Sequence, residues 1–133
     1  MGDEGFDFSF SGVKTAVINY IHNAEQKGIE INKADVAASF QEAVTEVLSN
    51  HLIDCARKHK VTQIALAGGV AANKALRDRV EEMSQKCGMK FVCPSLSLCT
   101  DNAAMIGCAA YFEHKAGALA DMSLNAVANL PLG

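Results

Sequence analysis

Gln63-Ile64-Ala65-Leu66-Ala67-Gly68-Gly69-Val70-Ala71-Ala72-Asn73-Lys74-Ala75-Leu76-Arg77 decides the fold class of this 133-residue chain. Its first five residues are a short apolar run, and Gly68-Gly69 follows at once, the pattern of a buried strand feeding a glycine loop. The chain then re-enters helical periodicity. Ala72, Ala75, Leu76, Val80 and Met83 supply an apolar stripe, and Gly88 is a fitting C-terminal stop. Lys90-Phe91-Val92-Cys93 before Pro94 reads as a second strand. A crossover of about twenty residues predicts a parallel, right-handed connection rather than a hairpin.

Upstream, Phe6-Asp7-Phe8-Ser9-Phe10 alternates in the period of a half-buried strand, with Ser11-Gly12 as a tight turn. From Lys14 to Glu25, Ala16, Val17, Tyr20, Ile21 and Ala24 recur at helical spacing, and Gly28 follows. Asn32 offers a capping oxygen to a second helix, which Asp35 favours in its first turn and Arg57-Lys58-His59-Lys60 complement at its last. Downstream, a loop from Ser95 to Thr100 leads into a helix from near Asp101 to about Lys115. Gly117 breaks that pattern, and the tail to Gly133 is only partly amphipathic. There is no internal repeat and no linker, so residues 1–133 are expected to form one domain with a small, mainly parallel sheet flanked by helices.

That length suits a single core and excludes a self-contained multidomain enzyme. Half the residues are hydrophobic and a fifth charged, which excludes low-complexity disorder. Twelve Lys+Arg against fifteen Asp+Glu leave a net charge of −3, so bulk charge gives no drive toward phosphate backbones. The five cysteines are scattered without a Cys-x-x-Cys pair, which suggests a reducing compartment. No apolar run approaches the ~20 residues of a membrane span, and Asp3 and Glu4 do not suit a secretory leader. The expectation is a cytoplasmic protein without a membrane partner.

Chemistry is expected where strands meet helix starts, because backbone N–H groups there are free to hold anions or bases. Gly68 and Gly69 let a flat ligand approach the backbone, and Asn73 can donate to or accept from hydroxyls and base edges. The plainer alternative is a tight strand-to-helix turn. In Leu98-Cys99-Thr100-Asp101-Asn102-Ala103-Ala104-Met105, Asp101 can ligate a metal ion or hold a substrate hydroxyl, while Thr100 or Asp101 can equally be an N-cap.

Four segments in order resemble one family: Phe8-Ser9-Phe10-Ser11-Gly12-Val13-Lys14-Thr15, Ala38-Ser39-Phe40-Gln41-Glu42-Ala43-Val44, the run from Gly68 to Arg77, and Cys99-Thr100-Asp101-Asn102-Ala103-Ala104-Met105. They look like the TsaD/Gcp family of tRNA adenosine threonylcarbamoyltransferases, formerly described as O-sialoglycoprotein endopeptidases. The match resembles only the family's C-terminal part. It implies a partial ASKHA lobe, actin-like and ribonuclease H-like, within a larger two-lobed protein. In that family the exocyclic amine of the tRNA adenosine next to the anticodon attacks an adenylated threonylcarbamoyl intermediate, and AMP leaves.

By motif, the resemblance implies that Gly68 and Gly69 lie against the adenosine moiety, that Asn73 binds an adenine nucleotide or threonylcarbamoyl-AMP, and that Asp101 is a ligand of one iron or zinc ion. The 28 positions between Asn73 and Asp101 (101 − 73) would bring both to one sheet edge. It also implies tRNA and other subunits of the threonylcarbamoyl-transfer complex as partners. The family's paired His-x-x-x-His ligands and its Ser-Gly-Gly-His-Thr segment do not occur in this sequence. The chain alone is therefore expected to bind metal weakly and to be inactive, since a catalytic ion usually needs three protein ligands.

His51, Cys55 and His59 share a helical face at i, i+4 and i+8, but Phe40, Val44 and Val47 put the apolar stripe there too, which favours packing over ligation. Lys74, Arg77 and Arg79 read either as a tRNA-facing patch or as a solvated helix face. The alternative function is a non-catalytic interaction module that self-associates into a homodimer or binds partners; a metal-dependent glycoprotease ranks below both.

Overall fold

Gln63–Ala65 forms β1 and Lys90–Val92 forms β2, paired in parallel with Gln63 opposite Lys90, Ile64 opposite Phe91 and Ala65 opposite Val92. A computed structural model describes residue 6 and residues 8–128. Before β1 come α1 (Phe10–Gln26) and α2 (Lys33–Lys58); α3 (Lys74–Lys86) joins the strands, and α4 (Ala103–Lys115) follows β2. One-turn 3-10 helices occupy Gly69–Ala72 and Leu96–Leu98. The residues fall into two compact units, Met1–Cys99 and Thr100–Gly133.

In the first unit, the core is assembled from Ile53 and Ala56 of α2, Ile64 of β1, and Leu76 and Val80 of α3. Leu48, Leu52, Leu66, Met83 and Phe91 pack around them. The α3 stripe expected at Leu76, Val80 and Met83 is the face that packs here, while Ala72 and Ala75 contribute less to it. Ser49 and Ser84 are fully buried, and each hydroxyl donates to the carbonyl four residues earlier, Thr45 and Val80 respectively. The buried hydroxyls are thus satisfied within their own helices while keeping the side chains small at the packed faces. Across the α2–α3 seam, Arg79 bonds the Glu42 carboxylate at 2.5 Å. That hydrogen bond first, then the charges of Glu42, Glu46 and Glu82, raises the guanidinium's pKa.

The first expected element is corrected. Ser9 takes an extended conformation (φ −108°, ψ 102°) and its Oγ accepts from Gly12 N–H at 3.3 Å, so it caps α1. Helix therefore begins at Phe10, and Ser11-Gly12 lie in its first turn rather than closing a strand. Phe6 and Phe8 are not in a strand, and Asp7 lies outside the described residues. A serine three residues before a glycine N–H is a capping arrangement that the Phe-x-Phe-x-Phe alternation disguises.

Asn32 caps α2 as expected, its Oδ1 accepting from Ala34 N–H at 3.0 Å. The β1 ladder is shorter than Gln63–Ala67, although Leu66 N–H still donates to Val92 C=O at 3.1 Å. Each helix ends in one motif: a left-handed residue (Gly28, Lys60, Gly88 or Gly117) followed by an N–H that reaches back five residues.

In the second unit the helix start is also corrected. Asn102, rather than Thr100 or Asp101, caps α4: its Oδ1 accepts from Met105 N–H and its Nδ2 donates to Thr100 C=O, both at 2.9 Å. Beyond Gly117, the Asp121 carboxylate accepts from the Ser123 hydroxyl and N–H, which lowers its pKa. Residues 129–133 of the tail lie outside the described residues.

Candidate functional site

The chain leaves the C-terminal end of β1 through Gly68, whose φ of 80° and ψ of 178° place it in a region essentially confined to glycine. This conformation turns the backbone so that Gly69–Ala72 make a single 3-10 turn, held by Ala71 N–H to Gly68 C=O and Asn73 N–H to Val70 C=O, each 3.0 Å. The N–H groups of Gly68, Gly69 and Val70 meet no hydrogen-bond acceptor among the described residues. A Cβ built on either glycine meets nothing within 4 Å, so the space over the loop is open. An exposed run of unpaired N–H groups without side chains suits an oxygen-rich or planar ligand.

The two polar atoms of Asn73 differ in their engagement. Its Oδ1 accepts from Leu76 N–H at 3.1 Å and so caps α3. Its Nδ2 makes no hydrogen bond to a described residue, which leaves a donor pair for a ligand beside the glycines. The side chain's acceptor is therefore engaged in the turn, and its amide nitrogen is not.

Gly68, Gly69 and Asn73 thus share one loop, while Asp101 belongs to the second unit. The Asp101 side chain is exposed, precedes the cap of α4 and bonds to no described residue. Since Asn102 does the capping, the carboxylate is available as a ligand. It stands alone in that role: among the described residues no three His, Cys, Asp or Glu side chains are grouped to hold an ion. The described residues therefore do not fit a complete metal centre.

Other features emerge only from the structure. A cavity of about 510 Å³ borders Gly68 and Gly69 on the α2 side, walled by Phe10, Leu48, His51 and Leu66. His51 Nδ1 is buried there without a hydrogen-bond partner among the described residues, and Phe6 meets its ring edge-on at a centroid distance of 6.4 Å. His51 and Cys55 share this wall. The three basic residues read as either a patch or a solvated helix face are each engaged by neighbouring groups. Lys74 pairs with Asp78, Arg79 with Glu42 and Glu46, and Arg77 turns toward backbone and sulfur acceptors. The i+4 spacing of Lys74 and Asp78 was a signal for the first pairing; the other two depend on tertiary contacts.

A parallel strand–helix–strand unit with a glycine loop at the C-terminal end of its first strand defines an α/β protein with a ligand-accessible sheet edge. A family model described as TsaD, tRNA N6-adenosine threonylcarbamoyltransferase, matches residues 1–108, and the chain belongs to that family. It is 56% identical over 131 residues to the tRNA N6-adenosine threonylcarbamoyltransferase of Clostridium perfringens strain SM101, covering 98% of this chain and 39% of the relative. Proteins of the same name from Clostridium beijerinckii and from Clostridium botulinum strain 657 are 51% and 53% identical over 131 residues, again 98% of this chain and 39% and 38% of theirs. The chain spans about two-fifths of the length of these curated relatives. No helix in the described residues is long and apolar enough to cross a membrane.

Proposed function

We propose that this chain is the C-terminal part of an ASKHA-type lobe of a tRNA threonylcarbamoyltransferase, and that it supplies the adenosine-binding loop and one metal-ligand carboxylate. The open loop of Gly68 and Gly69, with the free Nδ2 of Asn73 beside it, is the observation that carries the reading. In the reaction, the adenosine amine nitrogen bonds to the carbamoyl carbon of threonylcarbamoyl-AMP and loses a proton. The bond from that carbon to the phosphate oxygen breaks, and AMP leaves with its electron pair. This chain's part is positional: unpaired N–H groups and Asn73 Nδ2 hold the adenylate end, which lowers the entropy cost of the encounter. Asp101 is proposed as one ligand of an iron or zinc ion whose other ligands lie outside this sequence. The partners are tRNA and other subunits of a transfer complex, the compartment is the cytoplasm, and the isolated chain is inactive.

Asn73 separates cap from ligand contact. Asn73→Asp keeps a capping oxygen but removes both amide donors, so the melting temperature is retained while stabilisation by AMP or ADP is lost. A thermal melt with and without nucleotide checks this; unchanged stabilisation by nucleotide overturns the reading.

A second reading, an interaction module, draws on the exposure of Phe10, Ile18, Tyr20 and Phe40 on α1 and α2. It expects self-association, measured by sedimentation, that is indifferent to Asn73→Asp. Glycoprotein cleavage by the purified chain, abolished by a chelator, is what the older peptidase reading would require.

A further inference from the structure

The glycine loop is built from the residues least able to hold a shape by themselves. Its local bonds are the two 3-10 contacts, and Gly68 and Gly69 carry no side chain that could pack. Among the described residues, one side chain donates to a carbonyl of this loop: Arg77, one turn into α3. Its Nε donates to Ala71 C=O, while its Nη2 donates to Pro94 C=O at 2.9 Å and to Cys99 Sγ at 2.9 Å. Cys99 is 3% exposed, and its thiol donates in turn to Ser95 C=O at 3.4 Å. One guanidinium therefore ties the loop after β1 to the loop after β2. The diverging Nε and Nη2 donors reach acceptors that a single ammonium nitrogen cannot serve together.

We infer that Arg77 is a positioning residue: it fixes the loop of Gly68 to Asn73 in its ligand-ready shape and anchors the segment that ends two positions before Asp101. It touches no ligand itself. It acts by removing the loop's freedom in advance, so that a nucleotide does not have to order it on binding. This inference rests on the proposed nucleotide role of the loop. Arg77 is thus an internal brace, whereas Lys74 and Arg79 on the same helix pair with carboxylates instead.

The test uses the full 133-residue chain, with AMP as the probe and backbone amide NMR as the readout. Arg77→Lys is expected to weaken AMP affinity by about tenfold, and to speed amide exchange at Ala71 and Asn73 by a similar factor while Ile53 and Val80 are unaffected. A merely structural role would move loop and core together, and that result overturns the inference. If the wild-type chain binds AMP and Arg77→Lys binds it equally well, the nucleotide reading stands and the role of Arg77 falls. If AMP shifts none of the Gly68, Gly69 and Asn73 amides in the wild type, the nucleotide reading falls and this inference with it. Should Arg77→Lys fail to fold, Cys99→Ala removes one of the three acceptors and decides the matter. Faster exchange confined to the loop, with weaker AMP binding, supports the brace; wild-type behaviour refutes it.

Discussion

An alanine at position 68 would meet no neighbouring atom, yet it would have to adopt φ 80° and ψ 178°. Its cost is purely conformational, about 2 kcal/mol of stability by denaturant unfolding. Gly69 has an ordinary φ and equally open space, so Gly69→Ala is expected to leave the fold intact. If a nucleotide lies against the loop, the added methyl blocks it. Retained stability with lost AMP binding, measured by calorimetry, is the expected pair of results for Gly69→Ala; a fully retained affinity would place the ligand elsewhere. These glycines and Asn73 could be singled out in the sequence because a strand, two glycines and a helix start occupy adjacent positions. The contacts of Arg77 and the burial of His51 Nδ1 could not, since each depends on atoms brought together by the fold, whereas the engagement of Asn73 Oδ1 is a local cap of the kind read for Asn32. Asp101 stood out through its motif alone, and the capping role that competed for it went to its neighbour Asn102.

At the scale of elements, Lys60 is the exception among the four helix terminators. It holds φ 54° where Gly28, Gly88 and Gly117 hold positive φ without a side chain. Lys60→Gly is expected to raise stability by about 1 kcal/mol, read from the shift in the urea midpoint at unchanged slope. The α2 terminus was read correctly as a place for cations, but its stop came without the glycine that marks the other three. The helices followed from apolar periodicity and the parallel pairing from a crossover too long for a hairpin. The one element misread, around Phe8 and Phe10, was short, and there a single Ser9 hydroxyl outweighed a period-two pattern.

For the molecule as a whole, the sheet of two strands leaves one edge of β1 unpaired among the described residues. In the observed register Thr62 C=O and Leu66 N–H face β2, so Gln63 and Ala65 turn their polar backbone groups toward the opposite edge. Parallel sheets are ordinarily covered and extended by further strands. Under the proposed function, the other ligands of the ion lie outside this sequence. Titration of the isolated chain with iron or zinc is accordingly expected to give weak, non-stoichiometric binding; tight one-to-one uptake in calorimetry would show that this sequence holds a complete centre.

The pairing of β1 with β2 also bears on how the chain folds. Gln63 and Lys90 are adjacent in the sheet but separated by 27 positions (90 − 63), whereas each backbone hydrogen bond within an α-helix closes over about four residues. Bringing the two strands together therefore costs loop-closure entropy that forming α3 alone does not. The cap at Asn73 favours α3, and a formed α3 shortens the span between the strand ends. The residue proposed to meet a ligand is then also one that helps bring the two strands together.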